Sequence, residues 1–228
     1  MRKKLLIIFI LLPALLKAED GYDLWLRYKK ISNNSLLDQY KKQITSPVVL
    51  GSSQTIANIK TELTQAFSGL TGTSYKILSS PGKSTTFIAG TVSTSTVISS
   101  EVTKDELNLI GSEGFIIKTR PGKTIITANT DIGVMYGVFH FLRLLQTQQS
   151  LLNLNIISVP KIKLRILNHW DNLNRTVERG YAGFSIWDWH KLPDLIDKRY
   201  IDYARANASI GINSTVLTNV NANAVVLT

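Results

Sequence analysis

Between Pro47 and Gln148 the chain alternates short apolar runs with stretches whose apolar residues recur every three or four positions. Pro47-Val48-Val49-Leu50-Gly51 reads as a buried strand ending in a glycine turn, and Ile56, Ile59, Leu63, Phe67 and Leu70 then fall on one face of a helix. Further strands are expected over 74–78 and 87–91. Thr103-Lys104-Asp105-Glu106 has the spacing of a capping box, in which the Thr hydroxyl and the Glu carboxylate each take up an orphan helix N–H; Gly111 closes the short helix that follows. Two alternating runs, 114–119 and 123–128, flank Arg120-Pro121-Gly122 and read as a hairpin. From about Thr130, Ile132, Met135, Phe139, Leu142 and Leu145 mark the apolar stripe of a second long helix. Gly133-x-x-x-Gly137 within it admits two readings, a helix pressed close to the sheet or a ligand backbone laid against the helix, and the first asks for less. The expected fold class is α/β, beginning with a sandwich domain whose helices cover one face of a mixed sheet.

The polar stretch 146–150 leads through 151–159 to Pro160, where the texture changes. Residues 161–167 alternate like a strand and run into Asn168-His169-Trp170-Asp171-Asn172. Polar and aromatic residues at the C-terminal end of a strand are where (β/α)8 barrels keep their sites. The stretch 193–210 reads as a helix with Leu195, Ile196, Tyr200, Tyr203, Ala204 and Ala208 as its apolar residues; Gly211 stops it. The next strand, 214–218, ends in Asn219-Val220-Asn221-Ala222. Strand, long loop, helix and strand make the first unit of such a barrel. A closed barrel takes about 250 residues, far more than lie between Lys161 and Thr228, so an incomplete (β/α)8 barrel is expected. The divisions are a leader over 1–18, an N-terminal α/β domain over 19–150 and the start of the barrel over 151–228.

Composition sharpens this picture mainly by exclusion. Arg2-Lys3-Lys4, the apolar run 5–16 and Leu16-Lys17-Ala18 form the three parts of a secretory signal. The run contains Pro13 and is shorter than the about 20 apolar residues that span a bilayer, so export to the periplasm or outside the cell is expected, without stable membrane insertion. The leader holds four of the 26 basic residues and none of the 16 acidic ones, so much of the formal net charge of +10 leaves with it. The remaining basic residues form no stripe with interleaved aromatics, and nucleic acid is not an expected partner. With no cysteine there is no disulfide scaffold, thiol nucleophile or thiolate metal site. His140, His169 and His190 show no metal-ligand spacing, so no metal is expected. Nothing resembles a nucleophile elbow, a phosphate loop or a dinucleotide fingerprint, and no cofactor is expected. No feature sets an oligomeric state.

Candidate chemistry gathers between His169 and His190, a stretch that holds Trp170, Trp187 and Trp189 together with Asp171, Glu178 and Asp188. Indoles beside carboxylates and amides suit a sugar, whose flat apolar face stacks on the ring while its hydroxyls find acceptors. A packed aromatic plug, with Glu178-Arg179 as an ion pair holding the loop, accounts for the same residues. Asp171 and Glu178 are the obvious carboxylate pair, but glycoside hydrolysis wants two such groups about 5 to 9.5 Å apart. Their spacing in sequence does not set that distance, and the structural reading is preferred. Sequons at Asn33, Asn174, Asn207 and Asn213 are expected by chance in a chain rich in Ser, Thr and Asn.

LRILNHWDNLNRTVERGYAGFSIWDWHKLP over 164–193 and YARANASIGINSTVLTNVNA over 203–222 closely resemble the start of the catalytic barrel in the α-glucuronidases of glycoside hydrolase family 67. GYDLWLRY over 21–28, GSEGFIIKT over 111–119 and DIGVMYGVFHFLRLLQ over 131–146 resemble that family's N-terminal α/β domain. The resemblance implies an inverting hydrolase that releases (4-O-methyl)glucuronic acid from the side chains of glucuronoxylan-derived oligosaccharides. It makes Trp170 the aromatic platform of the sugar pocket, Val220 a wall near the uronic acid O4, and Asn221 a neighbouring polar contact. The family's general acid, its paired carboxylates and the basic cluster for the substrate carboxylate belong to later barrel strands. No catalytic residue is therefore assigned, Asp171 and Glu178 included, and the chain alone is expected to be inactive. Asn174-Arg175 stands where many members have Asp-Gly, and Asn213-Ser214 where Asn-Gly is common; both are turn positions. The alternative is a non-catalytic carbohydrate-binding or scaffold protein built on the same domain and retaining Trp170, and kinship with β-hexosaminidases rests on the domain plan alone.

Overall fold

The computed structural model describes residues 19–218. The expected leader, Val220 and Asn221 lie outside the described residues. After a 3-10 turn at Leu24–Arg27 come helix α1 (Asn34–Gln43), strand β1 (Val48–Val49), helix α2 (Gln54–Thr71) and strand β2 (Phe87–Thr91). The one-turn helix α3 (Thr96–Ser99) and α4 (Lys104–Ile110) lead to β3 (Phe115–Arg120), β4 (Lys123–Ala128), α5 (Asp131–Gln146) and β5 (Asn155–Ser158). These five strands form one mixed sheet in the order β1-β2-β4-β3-β5. β1, β2 and β4 run parallel, while β3 is antiparallel to both β4 and β5. β5 belongs to this sheet although it lies after the polar stretch 146–150. The strand expected over 74–78 is reduced to one bridge, Leu78 to Val48.

Side-chain alternation explains the two sides of the sheet. Phe87, Ala89, Ile126 and Ala128 enter the large core with α2 and α5, whereas Val48, Ile88 and Ile125 enter a smaller cluster with Leu50 and Ile98. Ile98 comes from α3, so the second face is covered as well, beyond the expected single covered face. α5 packs on β2, β3 and β4 and against α2. Its burial exceeds the predicted stripe, because Val134, Val138 and Phe141 are buried alongside Phe139, Leu142 and Leu145. A helix apolar on most sides is a central helix. Its two glycines serve that packing: a Cβ on Gly133 would stand 2.6 Å from the Gly114 carbonyl oxygen, and one on Gly137 would stand 2.7 Å from Ile126 Cγ2. The sheet, not a ligand, occupies that space.

Helix starts follow local chemistry. Asn33, Ser53 and Thr130 each accept a backbone N–H from the first turn of α1, α2 and α5. The capping box at Thr103 and Glu106 is complete. Lys118 bonds the Glu106 carboxylate at 2.9 Å, and this bond together with the Thr103 backbone N–H holds Glu106 below its ordinary pKa.

The second region contains β6 (Ile166–Asn168) and β7 (Ser214–Val216), paired parallel, with helix α6 (Lys198–Ser209) between them. α6 begins at Lys198, later than the expected 193, because the Asp197 side chain caps it by accepting the Arg199 N–H. α6 docks on the first domain through Glu62, a carboxylate only 7% exposed on the buried face of α2. Arg205 of α6 donates to both Glu62 oxygens, at 2.7 and 2.8 Å, and to the Leu26 carbonyl at 3.2 Å. The Tyr28 hydroxyl donates to the same carboxylate. Burial, and then the Glu62 charge, push the Tyr28 hydroxyl far above its ordinary pKa, so it stays a neutral donor. Next to this group Trp25 Nε1 donates to Ser209 Oγ at 3.0 Å, and the Arg143 guanidinium lies 5.6 Å from the centre of the Trp25 ring.

Two outcomes follow. Glu62→Leu leaves Arg205 and Tyr28 without their acceptor and is expected to cost about 3 kcal/mol in urea unfolding. Adding Arg205→Met and Tyr28→Phe removes the orphaned groups and should recover most of that loss. Separately, because the Glu106 pKa is lower in the folded chain, its contribution is complete above about pH 4.3 and is lost as the pH falls through the folded value. Glu106→Gln keeps the cap, loses the Lys118 charge pair and should flatten the fall of the thermal midpoint between about pH 5 and 3.

Candidate functional site

The site begins where β6 stops. His169 N–H donates to the Val216 carbonyl at 2.8 Å, which extends the β6–β7 ladder by one bond and leaves Trp170 as the next residue beyond it. The Trp170 indole remains 41% exposed. Its own carbonyl accepts the Glu178 N–H at 2.6 Å. Asp171 turns inward, is only 3% exposed, and lies with Oδ1 3.7 Å from His169 Nδ1.

A tight hairpin follows. Asp171 bridges Val177, Asn172 N–H donates to the Thr176 carbonyl at 2.8 Å, and Arg175 N–H donates to the Asn172 carbonyl at 2.9 Å. Arg175 has φ +69°, in the left-handed region that glycine takes most easily. This is the position where the family resemblance noted Asp-Gly. The arginine side chain has its own attachments here, to Asp188 Oδ2 at 3.2 Å and to the Ser185 carbonyl at 3.3 Å. A hydrogen bond from Lys191, with the Arg175 charge, holds the Asp188 carboxyl below its usual range.

The three tryptophans separate by environment. Trp187 is buried against Tyr200, Tyr203 and His169, with ring centres 4.7, 5.5 and 6.1 Å away. His169 Nε2 and the Tyr203 hydroxyl are 2.6 Å apart, and Asp188 N–H donates to the Tyr200 hydroxyl at 2.8 Å. Trp187 is thus the plug that joins the loop to α6, as one of the two sequence readings had it. Trp189 is partly buried, and Trp170 alone of the three presents a broad exposed ring. The Glu178–Arg179 ion pair of the packed-plug reading does not form; Glu178 Oε1 instead accepts from the Tyr181 hydroxyl at 2.7 Å. With Asp171 buried and Glu178 so engaged, the loop offers a stacking ring with polar neighbours.

Sequence reasoning missed the groups that anchor this region. Glu62 breaks the apolar stripe of α2 three residues after Ile59, and a carboxylate at a core-facing helical position is a signal for a buried partner. A cleft of about 800 Å³ runs between α2, α5 and α6, and neither Trp170, Asp171 nor Glu178 lines it. Among the described residues no three His, Asp or Glu side chains gather as a metal set, and no helix is long and apolar enough to cross a membrane.

Comparison with known proteins covers both regions. Residues 24–141 match the glycosyl hydrolase family 67 N-terminus, and residues 144–228 match the family 67 middle domain. A probable α-glucuronidase A of Aspergillus terreus is 30% identical over 233 residues, covering 100% of this chain and 27% of that protein. The α-glucuronidase of Hypocrea jecorina is 31% identical over 231 residues, covering 96% of this chain and 27% of that protein. The chain therefore spans about a quarter of the length of the curated relatives it matches. Among solved structures, a family GH115 4-O-methyl-α-glucuronidase aligns with a TM-score of 0.47 at 14% identity, over 76% of this chain and 25% of that one.

The two indoles should differ in their response to truncation. Trp187→Ala removes the plug and is expected to cost about 3 to 5 kcal/mol of unfolding free energy, with loss of near-ultraviolet dichroism from the loop. Trp170→Ala, at an exposed ring, should change the same measurement by less than about 1 kcal/mol.

Proposed function

The chain belongs to glycosyl hydrolase family 67, and we propose that it supplies the N-terminal portion of an exported α-glucuronidase that removes (4-O-methyl)glucuronic acid from xylo-oligosaccharides with inversion. The observation that carries this reading is the exposed Trp170 indole at the C-terminal end of β6. The parallel β6–α6–β7 unit agrees with the first turn of a (β/α)8 barrel, whose sites lie at that end of the strands.

In this mechanism Trp170 stacks against the apolar face of the sugar and orients it, while Val220 limits the space at O4 and Asn221 offers a polar contact. Inversion needs an acid to protonate the leaving oxygen and a base to activate water on the opposite face. Asp171 and Glu178 take neither role, since one is buried beside His169 and the other accepts from Tyr181. Both roles fall to carboxylates on later barrel strands.

Calorimetric titration of the 228-residue chain with an aldouronic acid tests the platform. Saturable binding weakened at least tenfold by Trp170→Ala is the expected result, about 1.4 kcal/mol or more. Binding indifferent to that substitution rejects Trp170 as the platform. The same preparation should release no uronic acid, and turnover would mean that catalytic groups lie within these residues.

A further inference from the structure

β6 and β7 are three residues long, and each is largely exposed on both faces. Register is strongly specified where one face of a strand is buried and weakly specified otherwise. Within this chain, contacts other than apolar burial decide how these two strands align.

A polar node stands at their N-terminal ends. Arg165 immediately precedes β6, and Asn213 immediately precedes β7. Arg165 N–H donates to Asn213 Oδ1 at 2.9 Å, and Asn213 N–H donates to the Arg165 carbonyl at 3.1 Å. Both side chains then converge on Glu113 of the first domain. Arg165 Nη2 lies 2.6 Å from Glu113 Oε2, and Asn213 Nδ2 lies 3.0 Å from Oε1. Glu113 sits in the turn between α4 and β3, which is fastened by two neighbouring residues at the start of α5. Asn129 Nδ2 donates to the Gly111 carbonyl at 2.8 Å, and Thr130 Oγ1 donates to the Ser112 carbonyl at 2.5 Å. The Arg165 guanidinium also lies 5.7 Å from the centre of the Tyr136 ring on α5. A single carboxylate on a fixed turn thus accepts from the residue before each strand, and a slip of either strand breaks one of its bonds.

We propose that Glu113 is a positioning residue of the sugar site: from the first domain it fixes the register of β6 against β7, and so the place of Trp170 about 16 Å further along the chain. The sugar-site part rests on the reading of Trp170 given above; the register part does not.

The absence of native cysteine makes cross-linking a clean test. Asn168 and Val216 are register partners, whereas Asn168 and Ser214 share a face two residues out of step. Asn168→Cys with Val216→Cys should oxidise at least tenfold faster than Asn168→Cys with Ser214→Cys in the otherwise unchanged chain. Glu113→Ala should bring the two rates within about twofold, and Glu113→Gln, which keeps one carbonyl acceptor, should fall between. Hydrogen exchange at Ile116, Ile117, Ile125 and Ile126 reports whether the first domain stays folded; if Ala disturbs it, the Gln variant decides. Preference for the native pair undiminished in the folded Glu113 variant overturns the proposal. Aldouronic acid titration of Glu113→Ala should show at least tenfold weaker binding. If the unaltered chain binds no sugar, the Trp170 reading fails while the cross-linking ratio still decides the role of Glu113.

Discussion

A carboxylate cannot stay ionised in an apolar core without partners, and Glu62 is placed where that constraint organises two regions at once. Its position on α2, between Ile59 and Leu63 on the buried face, commits it to the interior. Its partners come from far along the chain: Tyr28 from the segment before α1, and Arg205 from α6. Removing water from this group costs several kcal/mol per ion, and the Arg205 fork meets both oxygens while the Tyr28 hydroxyl adds a second donor to one of them. The docking of α6 is therefore set by charge and geometry more than by apolar area. α6 itself shows why, since Ser209 is its buried residue and Ile201 faces solvent.

The two regions consequently hold together by different means. In the first, strands buried on both faces and a central α5 specify each other by shape, with glycines where helix and sheet approach most closely. In the second, as far as this chain carries it, two short strands are tied back to the first by hydrogen bonds. Glu62 receives the helix, and Glu113 receives the residues that lead into both strands. Polar contacts are directional, so they suit a task of orientation.

This difference also governs what could be read from the residues alone. Periodicity located α2 and α5, and spacing located the capping box and the Pro-Gly hairpin, because each depends on neighbours in sequence. It fell short wherever the partner was distant. The run over 74–78 looked like a strand but makes one bridge, and β5, whose partner β3 lies far back in the chain, was not read as a strand. The anchoring carboxylates escaped notice because Glu62 and Glu113 are ordinary residues until Arg205, Arg165 and Asn213 are brought to them. The aromatic cluster was visible as a cluster, yet the assignment of plug and exposed ring among its tryptophans required the structure.

That assignment has a simple physical basis. Trp187 lies where the loop turns back over α6, and Tyr200 and Tyr203, one turn apart on that helix, close around it. Trp170 lies one residue past the last ladder bond, where the backbone is still directed by β6 while Asp171 takes the inward position next to it. Alternation along an extended segment sends neighbours to opposite sides, so burying Asp171 beside His169 is what turns the Trp170 ring outward. An exposed indole held by a strand end and a hydrogen-bonded hairpin loses little freedom when a flat ligand settles on it. For the proposed stacking role of Trp170, such pre-organisation lowers the ordering cost of binding.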